Sequence, residues 1–180
     1  MSTDSSAQNI REETEKPKYL RIIDLGKCIG CGSCEAVCDF IHDGTAFIKL
    51  YRTSIGLDIP ISCLHCRKAP CIDVCPTSAM TRDSEGAVYV DEARCIGCMA
   101  CLYACPFGIP ELDPRARVSI KCDLCRPLRA MDLEPACAAI CPTNAIVYGE
   151  EVEVFNTVKK RVAEMFAKTR FETLHEGYKP

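Results

Sequence analysis

The chain has 180 residues, which is enough for one ordinary domain or for two small ones that share a core. Its 48% hydrophobic and 26% charged residues are ordinary for a soluble protein, and a formal net charge of −3 argues against a nucleic-acid partner, which usually needs a basic face. Cysteine is the exception, with 16 residues. Such a content indicates a disulfide scaffold in a secreted protein or thiolate ligation of metal in a cytosolic one.

The N-terminal segment favours metal ligation over disulfides. Residues 1–18 are polar and charged, without the apolar stretch or paired arginines of an export signal, and are expected to form a disordered or partner-bound tail. No apolar run approaches the ~18 residues that span a bilayer. We therefore expect a cytoplasmic protein with reduced thiols and no integral membrane segment. A signal-bearing partner can, however, carry a subunit without its own signal across a membrane.

Short strands are predicted by composition and by alternation of apolar and polar residues at residues 19–25, 45–52, 79–82, 87–91 and 145–148. The third and fourth of these flank Asp83-Ser84-Glu85-Gly86, which is a strong signal for a β-hairpin. The last thirty residues change character. There Asn156 is a fair N-cap for a helix whose apolar face comprises Val158, Val162, Met165, Phe166 and Thr169. This helix either closes over the rest of the domain or docks a partner subunit.

The cysteines form an internal repeat of four groups, and no cysteine is left over. Group 1 is Cys28-x2-Cys31-x2-Cys34-x3-Cys38, group 2 is Cys63-x2-Cys66-x4-Cys71-x3-Cys75-Pro76, group 3 is Cys95-x2-Cys98-x2-Cys101-x3-Cys105-Pro106, and group 4 is Cys122-x2-Cys125-x11-Cys137-x3-Cys141-Pro142. Group 1 departs from the others because Asp39 takes the place of the proline.

These spacings are typical of ligands to [4Fe–4S] clusters. The run C-x2-C-x2-C wraps one loop around three corners of a cubane, and the cysteine three residues further on ligates the neighbouring cluster, as in bacterial ferredoxins. Structural zinc sites are the main alternative, but they use two separated C-x2-C pairs without the recurring x3 tail. Thiols two residues apart in tight loops are also poorly placed for disulfides. Every cluster corner has a protein ligand, which indicates electron transfer and no catalytic residues.

Exchange of fourth ligands defines four expected quartets. Groups 2 and 3 are joined by the predicted hairpin and exchange with each other, so groups 1 and 4 exchange across the chain. Quartet 1 is Cys28, Cys31, Cys34 and Cys141; quartet 2 is Cys63, Cys66, Cys71 and Cys105; quartet 3 is Cys95, Cys98, Cys101 and Cys75; quartet 4 is Cys122, Cys125, Cys137 and Cys38. The predicted cofactors are therefore four [4Fe–4S] clusters with iron as the metal.

The expected fold is α+β, with tandem bacterial-ferredoxin-like units related by pseudo-two-fold symmetry and with short β-hairpins and short helices around the four clusters. Residues 19–149 form the polyferredoxin domain, and residues 150–180 form a C-terminal helical extension. Within the domain, residues 63–105 make the central unit, while residues 19–62 and 106–149 together make the second unit. The first and last predicted strands flank groups 1 and 4 and are expected to pair.

Several residues near the cysteines are candidates for supporting roles. His65 lies between two ligands and either donates a hydrogen bond to a cluster sulfur or faces solvent. Five cations flank the groups, and we expect most to be solvated at the surface rather than to offset cluster charge: Arg67, Lys68, Arg94, Lys121 and Arg126. Gly30, Gly32, Gly97 and Ala100 suit close approach of backbone to a cluster, and Tyr103 and Phe107 are expected to shield clusters from water.

The motifs resemble those of the four-cluster ferredoxin-type electron-transfer subunits. This family includes small subunits of dimethyl sulfoxide reductases, formate dehydrogenases, tungsten aldehyde oxidoreductases and carbon monoxide dehydrogenase–hydrogenase systems. The likeness covers residues 19–149 and rests on Cys63-Leu-His65-Cys66 with Pro70-Cys71, on Cys95-Ile-Gly97-Cys98 with Ala104-Cys105-Pro106-Phe107-Gly108, and on Lys121-Cys122-Asp-Leu-Cys125 with Pro135-Ala-Cys137. It implies four four-iron clusters. Relatives with a membrane anchor carry an apolar C-terminal helix, which this sequence does not show, so a soluble or peripheral complex is expected.

Three functions are compatible with the sequence. The first is an electron-transfer subunit that relays single electrons between a catalytic tungsten or molybdenum oxidoreductase and a carrier, a further redox subunit or further copies of itself; a hydrogenase or carbon monoxide dehydrogenase system is another possible setting. The second is a free-standing soluble polyferredoxin. The third, from a different class, is a structural zinc protein. None of these is an enzyme by itself.

Overall fold

The computed structural model describes residues 19–176, with side chains from residues 21–168. The predicted tail at residues 1–18 lies outside the described residues. The strands are β1 (Tyr19–Ile23), β2 (Ile48–Arg52), β3 (Asp58–Ser62), β4 (Met80–Arg82), β5 (Val88–Val90), β6 (Glu111–Leu112), β7 (Ser119–Ile120) and β8 (Ile146–Glu150). The helices are α1 (Ser33–Ile41), α2 (Pro70–Asp73), α3 (Ala100–Ala104), α4 (Arg126–Arg129), α5 (Ala136–Ala139) and α6 (Glu151–Glu176).

The strands pair into four separate two-stranded antiparallel sheets, β1–β8, β2–β3, β4–β5 and β6–β7. The β4–β5 hairpin confirms the prediction from its turn sequence. Asp83 closes that turn, since its Oδ1 accepts hydrogen bonds from the backbone N–H groups of Glu85 at 3.0 Å and Ala87 at 2.8 Å. Small antiparallel hairpins among short helices make this an α+β fold, as expected.

The pairing of β1 with β8 joins the two ends of the cysteine-bearing region. Its register runs from Tyr19 opposite Glu150 to Ile23 opposite Ile146, which confirms the expected pairing of the first and last strands. Cys34, Cys38 and Cys137 are buried in one hydrophobic cluster with Ile48 and Ile146. Cysteines therefore occupy positions that aliphatic side chains fill in an ordinary core of this size.

Several strands differ from the sequence predictions, among them β2 and β3. Strand β2 begins at Ile48, three residues later than predicted, and β3 was not predicted because Pro60 normally argues against a strand. Each strand of a two-stranded sheet has an unpaired edge, and a proline without an N–H is tolerated there. The β2–β3 hairpin packs beside α1 and the cysteines of group 1.

Helix α6 begins earlier than predicted. It starts at Glu151, directly after β8, so the prediction of Asn156 as its N-cap is wrong. Glu151 and Glu153 lie in the first turn, where carboxylates interact favourably with the positive end of the helix dipole. The side chain of Val154 is only 1% exposed, and its burial anchors the start of the helix against the rest of the protein. Burial and charge therefore determine this helix start, rather than a capping side chain.

The N-terminal half of α6 packs on the β1–β8 sheet, where Arg161 forms an ion pair with Asp24. Further along, Val162, Met165 and Phe166 are 40%, 55% and 67% exposed. Among its described side chains, the predicted apolar face therefore closes over the domain only near the start of the helix, and Thr169 lies outside the described side chains. Within residues 19–176, no helix combines the length and the apolar character needed to cross a membrane.

Arg129 links the central hairpin to the loop of group 4. Its guanidinium, whose side chain is only 3% exposed, forms ion pairs with Asp83 at 2.6 Å and with Glu85, and its Nε donates to the carbonyl of Leu124 at 2.8 Å. Two acidic residues in the β4–β5 turn thereby hold a segment more than forty residues away in the chain. Breaking a buried pair from one side leaves the other charge without compensation.

We predict that Arg129→Met lowers the free energy of unfolding by about 3 kcal/mol, because Asp83, whose side chain is only 13% exposed, would lose its partner. Urea unfolding followed by circular dichroism measures the change. Arg94→Met is the matched control, since its ion pair with Asp91 is exposed, and it should cost less than about 1 kcal/mol. Equal losses in the two variants would contradict the role assigned to Arg129.

Candidate metal centres

Three cavities each have four thiols in their walls. In every case three thiols come from one cysteine group and the fourth comes from another. The first cavity is lined by Cys28, Cys31, Cys34 and Cys141, the second by Cys63, Cys66, Cys71 and Cys105, and the third by Cys75, Cys95, Cys98 and Cys101. These are the members of quartets 1, 2 and 3, and all sixteen cysteines are free thiols.

The members of quartet 4 also lie together, in the interior. Cys38, Cys122, Cys125 and Cys137 are between 4% and 6% exposed. Arg21 Nη1 lies 3.7 Å from Cys122 Sγ and 3.4 Å from Cys137 Sγ, so these two sulfurs face the same guanidinium. Burial raises the pKa of Cys38, backbone N–H groups oppose that rise, and the charges of Cys122 and Cys137 add to it.

One backbone conformation recurs at the first C-x2-C turn of every group. The residue before the second cysteine has a positive φ in each: 66° at Gly30, 48° at His65, 66° at Gly97 and 60° at Leu124. Only two of the four are glycine, and His and Leu adopt this region at a cost. The recurrence at four places indicates that the loops are shaped around the same kind of ligand.

Backbone N–H groups point at the sulfurs. His65 N donates to Cys63 Sγ at 3.5 Å and Leu124 N to Cys122 Sγ at 3.4 Å, within the loops just described. The further pairs are Phe47 N to Cys38 at 3.2 Å, Met80 N to Cys75 at 3.4 Å, Ser119 N to Cys95 at 3.3 Å and Ala145 N to Cys141 at 3.2 Å. Such donors stabilise negative charge on a ligating thiolate, so the donor set fits iron–sulfur ligation.

Burial keeps several of these thiols protonated in the absence of metal. It raises the pKa of Cys34 and of Cys71 to about 11 and that of Cys125 to about 12, because a thiolate is costly in a poorly solvated site. A bound cationic centre reverses this preference, and ligation then releases the proton. In residues 19–176, no three His, Cys, Asp or Glu side chains form a group suited to a single metal ion.

Two cations lie against the sulfurs of quartets 2 and 4. Lys121 is 6% exposed, with its Nζ 3.6 Å from Cys63 Sγ, so the expectation of a solvated surface lysine is wrong. Arg21, which the sequence analysis did not single out, faces Cys122 and Cys137. Burial opposes its charge, but the neighbouring thiolates outweigh burial and raise the pKa of Arg21. The sequence signal that could have pointed to Arg21 is its position as a lone charged residue among the apolar residues of β1.

His65 contributes a buried donor. Its Nδ1 accepts a hydrogen bond from the Val88 N–H at 3.0 Å, which places the ring proton on Nε2. Among the described residues, Nε2 is one of two buried side-chain polar atoms without a hydrogen-bond partner. Burial lowers the pKa of His65 well below its usual value, with Lys121 and Arg21 as further causes, so the ring is neutral. Of the two alternatives for His65, the solvent-facing one is wrong.

The remaining candidates are mostly at the surface. Arg67 pairs with Glu151 and Arg94 pairs with Asp91, both exposed, and Arg126 stacks 4.2 Å above the ring of Tyr89. Lys68 is exposed as well. Tyr103 is 87% exposed on the outer side of α3, so its expected shielding role is wrong. Phe107 does line the cavity of quartet 2.

The quartets follow one another in the order 1–4–2–3. Cys34 of quartet 1 lies near Cys137 of quartet 4. Burial is the main cause of the raised pKa of Cys34, and the charge of Cys137 is the next. In the same way, burial raises the pKa of Cys63 of quartet 2, and the charge of Cys122 of quartet 4 raises it further. Helices α2 and α3, which carry cysteines of quartets 2 and 3, contact each other. Cys31 and Cys98 in the two outer quartets are exposed.

Comparison with known proteins agrees with this chemistry. Residues 56–151 match the 4Fe–4S dicluster domain, and residues 21–40 match the 4Fe–4S binding domain. The thiosulfate reductase electron transfer subunit PhsB of Salmonella typhi is 37% identical over 145 residues, which cover 73% of this chain and 76% of that protein. These matches confirm the resemblance that was inferred from the cysteine motifs. They also confirm that the cofactors are multiple 4Fe–4S clusters.

Two further relatives carry names of the same kind. A sulfite dehydrogenase subunit of Allochromatium vinosum is 35% identical over 161 residues, covering 72% of this chain and 67% of that protein. A polysulfide reductase component of Wolinella succinogenes is 32% identical over 167 residues, covering 81% of this chain and 83% of that protein. The likeness therefore extends over most of each sequence and is not confined to the cysteine loops.

We predict that Gly97→Ala removes about one cluster, roughly four iron atoms per chain, because φ is 66° and the new Cβ would overlap the carbonyl of Arg117. Iron determination on protein purified without oxygen measures the loss. Gly32→Ala is the matched control, with a φ of 76° beside ligands but no atom within 4 Å of its Cβ. If Gly32→Ala lost as much iron, strain alone would explain the effect and the packing argument would fail.

Proposed function

The chain belongs to the 4Fe–4S dicluster domain family, and on that premise we propose that it is the electron-transfer subunit of an oxidoreductase complex. It relays single electrons through four [4Fe–4S] clusters between a catalytic subunit and a carrier or further subunit. The observation that carries the proposal is the grouping of the thiols into quartets, each with three members from one cysteine group and one from another.

Each quartet is proposed to hold one cluster through four cysteine thiolates, with the sixteen ligands divided as the sequence predicts. When bound, such clusters supply one-electron chemistry over a wide range of potentials. The protein's part is to supply every ligand, to direct N–H groups at the sulfurs and to keep water away. Because no iron corner is left open for substrate, the chain is a non-catalytic subunit.

The order of the quartets supports a linear relay. Quartets 4 and 2 lie in the middle, and the outer quartets 1 and 3 each have one exposed cysteine. Beside those cysteines, Ile29 is 68% exposed and Ile96 is 65% exposed. An exposed apolar rim next to an exposed ligand suits contact with a redox partner. We therefore assign electron entry and exit to the two ends, near Cys31 and near Cys98.

Matched details support a pseudo-two-fold relation between a central unit, residues 63–105, and a second unit from residues 19–62 and 106–149. Cys75-Pro76-Thr77 and Cys141-Pro142-Thr143 each place a threonine hydroxyl 3.8 Å from the cysteine sulfur. In both, the residue after that threonine has a positive φ, 54° at Ser78 and 49° at Asn144. The predicted C-terminal extension, residues 150–180, is described as far as residue 176, and helix α6 (Glu151–Glu176) is its described helical part.

His65 is proposed to donate a hydrogen bond from Nε2 to a cluster sulfur. The buried Nε2–H otherwise lacks an acceptor, and leaving such a donor unpaired costs about 1–3 kcal/mol. A sulfide acceptor would satisfy it. A donated hydrogen bond favours the more negative, reduced state and raises the potential of that cluster.

The catalytic partner is proposed to be a molybdenum or tungsten oxidoreductase subunit, and the location is proposed to be the cytoplasm. The relatives are named for thiosulfate reductase, sulfite dehydrogenase and polysulfide reductase. A catalytic subunit recovered with this chain should therefore be assayed first on small sulfur compounds. Fractionation of cells that produce the full native chain tests the location.

Elemental and redox analysis tests the proposed function. The full chain, purified without oxygen, should be brown and contain about 16 iron and 16 sulfide per chain, and it should take up about four electrons. Cys98→Ala is the matched variant, because it removes one ligand at the surface, and it should lower the electron count. A colourless protein with stoichiometric zinc would overturn the proposal in favour of a structural zinc protein.

Anaerobic affinity purification separates the two redox alternatives. A tagged chain should bring down a subunit that contains molybdenum or tungsten. Recovery of the chain alone, fully loaded and able to exchange electrons with several soluble enzymes, would favour a free-standing polyferredoxin instead.

A further inference from the structure

Arg21 and Lys121 lie at the junction between quartets 4 and 2, where the two ferredoxin-like units meet. We propose that these two side chains set the potentials of the two inner clusters, by holding two positive charges against their ligand sulfurs. This inference rests on the proposed function, because it needs clusters in quartets 4 and 2. It adds a role for two residues that are not themselves ligands.

Arg21 spans the junction from strand β1. Its Nη1 faces quartet 4, at 3.4 Å from Cys137 Sγ and 3.7 Å from Cys122 Sγ. Its Nη2 faces the other way and donates to the carbonyl of Cys63 at 2.9 Å and to the hydroxyl of Ser62. One guanidinium therefore contacts ligand residues of both inner quartets.

Lys121 spans the same junction from the opposite direction. Although it directly precedes Cys122 of quartet 4, its Nζ lies 3.6 Å from Cys63 Sγ of quartet 2. The ammonium also donates to the carbonyl of Cys122 at 3.0 Å and to that of Val88. These carbonyls fix the position of the ammonium without neutralising its charge.

The absence of a carboxylate distinguishes this pair from Arg129. In the described part of the chain, the ion pairs to Asp or Glu do not include Arg21 or Lys121, whereas buried Arg129 has Asp83 and Glu85. No carboxylate in the described part of the chain therefore neutralises the charges that Arg21 and Lys121 hold beside the sulfurs. Since Lys121 is 6% exposed, water screens its charge poorly.

The physical consequence is a selective effect on potential. Reduction makes a cluster site one unit more negative, and a nearby buried cation favours that state. Arg21 and Lys121 face quartets 4 and 2 but neither outer quartet. The inner sites should therefore accept electrons more readily than they would without these cations, which helps electrons to cross from one unit to the other.

Redox titration followed by electron paramagnetic resonance tests the proposal on the full chain purified without oxygen. Lys121→Gln and Arg21→Gln should each shift two of the four midpoint potentials downward, and the double variant should shift the same two further. Lys121→Arg and Arg21→Lys keep the charge and should keep the potentials close to those of the native protein. Loss of signals in Cys31→Ala and Cys98→Ala identifies the outer clusters, which should not shift.

Arg94→Gln is the matched control, because Arg94 directly precedes Cys95 as Lys121 precedes Cys122 but is exposed and paired with Asp91. It should leave all four potentials unchanged. The proposal is overturned if the neutral variants load fully with unchanged potentials, if they shift all four clusters equally, or if both neutral variants lose iron, which would make the pair a structural link. A native chain with fewer than four clusters would instead contradict the proposed function.

Discussion

The meeting of three thiols from one segment with one thiol from another is the constraint on which this structure depends. Cys141 lies beside group 1 and Cys38 lies beside group 4, although in the chain each is about a hundred residues away from the group that it joins. The pairing of β1 with β8 holds those segments together, and α6 packs on that sheet. Ligand positions and backbone pairing thus support each other, which explains how hairpins of two strands, marginal by themselves, persist here.

Charge is the second constraint. A chain with a formal charge of −3 becomes more negative with each oxidised cluster, reaching about −11 with four. Exposed cations such as Arg67 and Arg94 are paired with carboxylates and contribute little. The interior instead contains Arg21 and Lys121 against the sulfurs, backbone N–H groups directed at the thiols, and the Nε2–H of His65. These fixed donors offset a charge that solvent reaches poorly.

The sequence predicted the parts of the fold that depend on local chemistry. The β4–β5 hairpin followed from Asp83 and Gly86, and the β1–β8 pairing followed from ligand exchange in the cysteine spacing. Strand β3 and the start of α6 were missed because Pro60 and Asn156 act through local propensity, which tertiary packing overrides. The inward direction of Lys121 and the outward direction of Tyr103 could not be predicted, because each lies close to a cysteine and only the folded backbone decides which way it points.

Anomalous diffraction at the iron absorption edge, on crystals of the full chain grown without oxygen, tests the central claim most directly. We expect four compact iron sites in the order 1–4–2–3, each bounded by three cysteines of one group and one of another. Cys141 should lie at the site of Cys28, Cys31 and Cys34, and Cys38 at the site of Cys122, Cys125 and Cys137. Iron sites bounded by the four cysteines of a single group, or single-atom zinc sites in their place, would rule out the exchange of fourth ligands between groups.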